Sequence, residues 1–465
     1  MTNTANKHPA AGDAPLDSGF RPMIQALAAA RAAPTPGGAT LAIAWERDNG
    51  CVARYDLTLP PAAEGEDVVF RLAERVVKFL LWSAGGWRLM LAGPEGLCRR
   101  LQVEYSAQGR RAFDANLMQQ VYGRPMTVAL FRPEEMPASR DAGMMVGGHL
   151  DGCRLGFDLG ASDFKVSAVR DGTEVFSAEL PWTPRSQSDP DYHYRTLNAG
   201  LRQAATHLPR VDAIGGSTAG VVVANRIMVA SLFRAVPAER YADAQNIFLR
   251  LQREWQVPLE VANDGDVTAL AGALSLGVRA ILGVAMGSSE AGGYLDRQGR
   301  LTGRLEELAF TPVDLNPGAA LDEWSGDAGV GSMYFSQQAV NKLAPAAGFT
   351  FPADQPLPER LQAVQARLAA GDARARQIFE TIGVYLGYTV PWYREFNDFD
   401  HLLLLGRVMS GAGGEIIRDR AEAILRAEFP ELAARVRVIL PDEKARRVGQ
   451  AVAAASLPAK RRTEP

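Results

Sequence analysis

Leu155-Gly156-Phe157-Asp158-Leu159-Gly160-Ala161-Ser162-Asp163-Phe164-Lys165 is the stretch on which the fold turns. An apolar run ends in an acid, passes through a glycine-containing turn with a hydroxyl residue, and returns to apolar alternation, which reads as strand, tight turn, strand. Such a turn brings backbone N–H groups and a hydroxyl close to phosphate oxygens, and it puts Asp158 where a hydrated Mg²⁺ can be held. The same residues also make an ordinary hairpin with an Asp-Leu-Gly turn. Their surroundings decide between the two.

Downstream, Val257-Pro258-Leu259-Glu260-Val261-Ala262-Asn263-Asp264-Gly265-Asp266 delivers Asn-Asp from a strand directly into a helix. A carboxylate at a strand end can accept the proton of a substrate hydroxyl while the Asn amide fixes neighbouring hydroxyls. Asp and Asn are equally the preferred helix N-caps, and Asp264 or Asp266 fits that role without chemistry. Leu282-Gly283-Val284-Ala285-Met286-Gly287-Ser288-Ser289-Glu290-Ala291-Gly292-Gly293 is a strand, a small-residue loop and a strand. Main-chain N–H groups at Gly287 and Ser288 suit phosphates, although Gly and Ser between strands also simply turn the chain. Glu290 repels an anion there unless a cation intervenes. In His401-Leu402-Leu403-Leu404-Leu405-Gly406-Arg407-Val408-Met409-Ser410-Gly411-Ala412-Gly413-Gly414-Glu415 a buried strand runs through a Gly-rich turn into a helix, leaving bare backbone for a flat ring such as adenine. No segment carries the early strand and acidic partner of a dinucleotide fingerprint.

Around these segments the chain divides into a flexible tail (1–37), an accessory α/β unit with its linker (38–150) and two further units (151–262 and 263–465). The tail is rich in Ala, Pro, Gly and Thr and is expected to order at most one helical turn, near 23–33. In the accessory unit Asn49-Gly50 marks a hairpin between 39–45 and 51–59, followed by a helix over 68–81 and strands over 87–92 and 126–131. No element is read over 93–125, and 136–152 reads as linker. A hairpin (154–182, turn Asp171-Gly172), a helix (192–207) and a strand (211–215) then repeat that order. The accessory unit is therefore either a degenerate copy of the lobe after it or the chance order of any α/β chain. Helices over 248–255, 267–276, 327–343, 358–368, 373–395, 415–428 and 445–456 alternate with strands over 258–261, 280–286 and 401–405, which defines an α/β protein.

Composition narrows the function classes. In 465 residues, 50 Lys and Arg against 53 Asp and Glu leave a net charge of −3, with no basic excess to support nucleic-acid binding. Hydrophobic residues at 47% and charged residues at 22% exclude a largely disordered chain. Cys51, Cys98 and Cys153 form no metal or redox pair, which suits a reducing, cytoplasmic compartment. No apolar run reaches the ~18 to 20 residues needed to span a bilayer, and no secretory signal opens the chain. Trp182 and Tyr192-His193-Tyr194 are either a sugar-stacking surface or core, and core is the commoner use.

In this order the four segments resemble the sugar-kinase branch of the actin-like ATPase superfamily, in particular the ROK family of bacterial kinases and sugar-responsive repressors, over residues 154–458. Asp158-Leu159-Gly160-Ala161-Ser162 is similar to that family's Asp-Ile-Gly-Gly-Thr loop. Ile214-Gly215-Gly216-Ser217-Thr218-Ala219-Gly220 with Ser231-Leu232-Phe233 resembles its substrate loop, and Asn263-Asp264 matches its Asn-Asp pair. Gly287 to Gly293 stands where the family has its second phosphate loop, Glu306-Glu307-Leu308-Ala309-Phe310 where it reads Gly-Glu-Ile-Gly-His, and Gly406-Arg407-Val408 where it reads Gly-Gly-Val.

The resemblance implies a two-lobed actin-like fold and ATP-dependent phosphorylation of a hexose or related sugar. Asp264 is then the catalytic base, and Asn263, Glu307, Glu323 and Ser231 contact the sugar. Asp158, Gly160, Ser162, Gly287, Ser288, Gly406, Gly411, Gly413 and Gly414 receive ATP, with Mg²⁺ at Asp158. Phe310 replaces a histidine that binds sugar and zinc, and Asn316 to Trp324 replaces a Cys-rich loop, so no zinc is implied. Ser289, Glu290, Ala291, Phe310 and Arg407 depart from the pattern and motivate an alternative, a catalytically silent sugar- or nucleotide-binding regulator of the same fold. A third alternative is a different phosphoryl donor such as polyphosphate. No helix-turn-helix precedes residue 150, and the accessory unit covers the cleft, extends the sheet or mediates a homodimer.

Overall fold

The computed structural model describes residues 13–32, 39–61, 64–141, 147–160, 164–441 and 443–460, with backbone alone over 443–448. Ser162 and its neighbours 161 and 163 lie outside the described residues.

The accessory unit comprises α1 (Met23–Ala32), β1 (Thr40–Glu46), β2 (Val52–Thr58), α2 (Glu66–Ala84), β3 (Arg88–Ala92), α3 (Glu95–Glu104), α4 (Ala112–Tyr122) and β4 (Thr127–Leu130). Its sheet runs β2-β1-β3-β4. The hairpin expected at Asn49-Gly50 is β1 and β2, paired from Thr40↔Thr58 to Glu46↔Val52. Helices α3 and α4 occupy the stretch to which sequence assigns no element. Their burial rests on only a few positions, such as Leu101, Leu117 and Met118, so the periodic signal is thin.

The first lobe comprises β5 (Cys153–Leu159), β6 (Phe164–Arg170), β7 (Thr173–Leu180), α5 (Pro190–Ala205), β8 (Ala213–Thr218), β9 (Val221–Val223), β10 (Arg226–Val229), α6 (Tyr241–Gln245), α7 (Ile247–Trp255) and β11 (Leu259–Asn263). Its sheet order is β11-β8-β5-β6-β7. The degenerate-copy expectation fails on strand direction. The strand that follows the helix is antiparallel to the first strand in the accessory unit (β1 with β3) and parallel in the lobe (β5 with β8).

The second lobe comprises α8 (Asp264–Leu276), β12 (Ile281–Met286), β13 (Glu290–Leu295), α9 (Gln337–Leu343), α10 (Leu357–Ala369), α11 (Ala373–Arg394), β14 (His401–Leu405), α12 (Ala412–Glu428), α13 (Pro430–Ala433), β15 (Arg437–Ile439) and α14 (Glu443–Ala455). Its sheet order is β13-β12-β14-β15. The helix expected over 327–343 shrinks to α9, because Ser336 caps it by accepting from the Gln338 N–H. Helix α14 crosses back onto the first-lobe sheet. A Cβ at Gly215 would strike the Ala454 carbonyl, so only glycine lets the helix backbone sit there.

The accessory unit and the second lobe share one core. Phe79 of α2 packs on Trp392, Tyr393 and Phe396 with ring centroids 4.8, 5.7 and 4.3 Å away. The expectation of a flexible tail is corrected for residues 13–32. Phe20, Met23, Ile24, Leu27 and Ala30 are buried, and Phe20 meets the Tyr385 ring edge-on at 4.7 Å. The apolar residues are spaced as one helical face, and burying that face offsets the cost of ordering an otherwise bland segment.

Candidate active site

Strands β5, β8 and β11 run parallel with Leu159, Thr218 and Asn263 in register, so all three end at one edge. Ligands of open α/β sheets bind at such carboxyl edges. Asp158 lies one residue inside β5 and is buried. Asn263 closes β11 and caps α8, accepting from the Gly265 N–H at 2.8 Å while its Nδ2 donates to the Gly220 carbonyl at 2.9 Å. The cap is therefore neither Asp264 nor Asp266. With its amide engaged at both ends, Asn263 is a structural link as well as a wall of the cleft.

Asp264, the first residue of α8, accepts from the Gly265 N–H at 2.9 Å through Oδ1. Burial pushes its carboxyl up to about 7, helped by the negative charge of Asp158 and opposed by backbone N–H groups. Glu307 is likewise raised to about 7, by burial and then by Asp264. Asp264 thus feels the charge of Asp158, and Glu307 that of Asp264, which couples the three electrostatically as a group. Asp266 and Glu306 join it. Asp266 is held well above the carboxylate range by burial and Glu306, and Glu306 rises to about 7 through burial, opposed by Arg304 and Asn397.

The loop bearing Glu306 and Glu307 is tied to the accessory unit. Their backbone N–H groups donate to the Ser83 and Trp82 carbonyls, at 2.9 and 3.0 Å, satisfying the end of α2. Phe310, where the resemblance expects histidine, is buried with its ring centroid 4.4 Å from that of Trp82. A cavity of about 530 Å³ opens between the three units, walled on one side by Asn263, Asp266 and Glu307 and on the other by Arg47, Trp87 and Tyr122. Sequence reasoning allowed the accessory unit to cover the cleft but assigned none of these residues to its wall. Glu306 was legible only as the neighbour of a matched residue.

On the other side of the acids, Gly287 and Ser288 form a tight turn in which the Gly287 N–H donates to the Ser289 carbonyl at 2.9 Å. Glu290 does not face this turn. It is 3% exposed, accepts from the Tyr393 hydroxyl at 2.9 Å through Oε1, and is pushed up to about 8 by burial. The expected clash with an anion is removed by that orientation. Gly406 lies against the end of β12, where a Cβ would meet Met286 backbone, so the turns after β12 and β14 are adjacent. Gly160 closes β5, its carbonyl accepting from Trp182 Nε1 at 2.9 Å. Gly411 is exposed just before α12.

Four expected contacts fall elsewhere. Gly413 and Gly414 are buried, and a Cβ on them would meet the Phe379 ring at 2.6 Å and the Met409 carbonyl, so they serve packing within the second lobe. Ser231 is exposed on the turn Ser231–Phe233, with Arg185 at 3.5 Å, and does not line the cavity. Glu323 is exposed on the loop after Phe310 and does not line the cavity. His193 is buried, its Nε2 near the Pro184 and Leu232 carbonyls at 3.2 and 3.3 Å, which assigns it to the core. Among the described residues no three His, Cys, Asp or Glu side chains are arranged as a metal cage.

No family model matches the sequence, and no curated protein matches it. Solved structures do match the fold. A ROK hexokinase from Thermus thermophilus aligns with TM-score 0.51 at 18% identity, covering 65% of this chain and 97% of that one. A ROK family transcriptional regulator, a homologue of the E. coli MLC protein, aligns with TM-score 0.53 at 17% identity, covering 75% of this chain and 86% of that one. The chain has an α/β, actin-like ATPase fold. Within that class its fold is the one seen in ROK proteins, here carrying an additional N-terminal α/β unit. Among the described residues no helix is long and apolar enough to cross a membrane.

Proposed function

We propose that this protein is a ROK-type kinase that phosphorylates a hydroxyl of a hexose or related polyol. The observation that carries the reading is Asp264, a half-buried carboxylate at the edge of three aligned strands, next to the cavity residue Asn263 and electrostatically coupled to Asp158 and Glu307. A carboxyl raised to about 7 is matched to general-base work near neutral pH. The donor set fits the cofactor in part. Asp158 suits a water-bridged Mg²⁺, and Gly160, Gly287, Ser288 and Gly411 give the triphosphate and adenine an uncluttered main chain, whereas Gly406 backs onto the Met286 backbone and the buried Gly413 and Gly414 do not take part.

When bound, ATP with Mg²⁺ supplies the γ-phosphoryl group. In this reading Glu307 and the cavity wall orient the sugar, Asp264 accepts the proton of the attacking hydroxyl, and the edge glycines keep the donor in line. The shared core of the accessory unit and second lobe helps to exclude water from that cavity. The test is ADP release with a hexose panel, run beside sugar binding by calorimetry. Asp264→Asn should bind sugar as the native protein does and lose about 10²- to 10⁴-fold in turnover. Native turnover in that variant would remove Asp264 from the mechanism.

A second reading, a sugar-responsive regulator that has lost phosphoryl transfer, is supported by the Trp82–Phe310 contact, which joins the sugar-side loop to the accessory unit. The fold likeness to the ROK regulator supports it too. Sugar binding without ATP binding would favour this reading, and turnover with polyphosphate but not ATP would point to the other donor.

A further inference from the structure

We propose that a second cavity, bounded by α2, the α3–α4 corner and the loop after Phe310, binds a phosphate-bearing small molecule. It has a volume of about 420 Å³ and shares no lining residue with the cleft cavity. Five arginines reach it: Arg71 and Arg75 from α2, Arg100 from α3, and Arg110 and Arg111 from the corner. Four acids also line it, Asp67, Glu74, Asp314 and Asp327. The reaction proposed for the cleft uses none of these groups, so this inference stands apart from that reading.

The charges form two layers. In the floor, Arg75 grips Asp327 with two contacts of 2.8 and 2.9 Å and reaches Glu74 at 3.1 Å. Arg111 reaches Glu74 at 2.5 Å and Asp327 at 2.8 Å. Those two acids are thereby consumed. Asp314 accepts from the Tyr334 hydroxyl at 2.6 Å and from the Arg21 N–H at 2.9 Å, and burial raises its carboxyl, which weakens it as a counter-charge.

The rim is different. Arg100 and Arg110 are exposed at their heads; Arg100 holds the exposed Asp67 at 2.8 Å, and Arg110 holds the buried Glu104 at 2.6 Å. Arg71 is exposed and makes no ion pair among the described residues. The exposed Arg100–Asp67 pair contributes only about 0 to 1 kcal/mol, so it yields readily to a stronger anion. A phosphate monoester is that anion, because it carries up to two charges and offers each guanidinium a charge-assisted, forked contact. Arg100 also stacks at 3.7 Å over the Phe70 ring, which holds its guanidinium at the mouth. A satisfied ionic floor beneath the unpaired Arg71 and the releasable Arg100 fits a phosphate group better than a carboxylate, whose single charge competes poorly with Asp67.

The experiment is titration calorimetry of the full-length protein with inorganic phosphate, glucose 6-phosphate and AMP, at low ionic strength because surface charges are screened by salt. The comparison is with the triple variant Arg71→Ala/Arg100→Ala/Arg110→Ala and with Arg71→Glu alone. Arg71 is exposed and unpaired, so its charge reversal leaves folding intact. Expected are saturable binding of at least one of the three probes, about tenfold or greater weakening in the triple variant and a clear loss in Arg71→Glu. Preference for glucose 6-phosphate or for AMP identifies the ester as sugar or nucleotide. Binding equal in native protein and both variants, or no binding of any probe, would overturn the proposal.

Discussion

The backbone N–H of Glu307 donates to the carbonyl of Trp82 at 3.0 Å, so the last turn of α2 holds the loop that carries one acid of the cleft. The accessory unit thus reaches the site through main chain, and Trp82 adds its ring against Phe310.

Trp82→Ala should cost about 3 to 5 kcal/mol of stability, as for other large aromatic deletions in cores. Because the loop beneath it bears Glu307, the KM for the sugar should rise more than the KM for ATP. Urea unfolding and steady-state kinetics check the two halves. A stability loss with both KM values unchanged would reduce Trp82 to a packing role.

In the kinase reading the pH profile follows from Asp264. A base must be deprotonated to work, and burial and Asp158 hold this carboxyl up to about 7. The kcat/KM for sugar should therefore rise through neutral pH and level off above it. Asp158→Asn removes the neighbouring charge and should move the acidic limb to lower pH, even as turnover falls. An unmoved limb would mean that another group titrates.

Glu290 gives a stability prediction with the opposite sense from a salt-bridged acid. Its folded-state carboxyl is pushed up to about 8 by burial, and Asp264, Glu306 and Glu307 are raised to about 7. The folded chain keeps protons that the unfolded chain has already released. The stability these four groups contribute is full below the ordinary carboxylate range and declines as pH rises through about 5 to 8. Glu290→Gln should flatten the upper part of that decline in a series of thermal melts. A slope equal to that of the native protein would place the charge elsewhere.

Asp327 neutralises a buried basic cluster, with Lys78 at 2.9 Å and Arg75 and Arg111 each at 2.8 Å. Those cations hold its carboxyl far below the usual range despite burial. Asp327→Asn leaves three buried cations to share only Glu74 and Asp114 and should cost about 3 to 5 kcal/mol. Chemical denaturation reads this directly, and a loss below about 1 kcal/mol would mean that water already reaches the cluster.

Strand and hairpin signals were legible where local chemistry is strong. Asn49-Gly50 and Asp171-Gly172 specified their hairpins, and alternating or continuous apolar runs specified β1, β5, β12 and β14. Helices α3 and α4 were not legible, because each buries few positions. The fate of residues 13–32 was also hidden. A short Ala-rich segment has little intrinsic reason to order, and the aromatic surface that receives it comes from Tyr334, Tyr385 and Tyr388, over 300 residues later in the chain.

For the site, the sequence by itself determined that acids and glycines stand at strand ends in the order of an actin-like fold, because strand, turn and cap preferences act over a few neighbouring residues. Tertiary structure alone decided which of them meet. Strand register brought Asp158 to Asp264, and the approach of α2 brought Glu307 into the same group. Tight packing turned Gly413 and Gly414 into spacers, and burial against Tyr393 turned Glu290 away from the anion loop. These outcomes depend on long-range packing and on the loss of water around each carboxyl, and neither is encoded within reach of a local pattern.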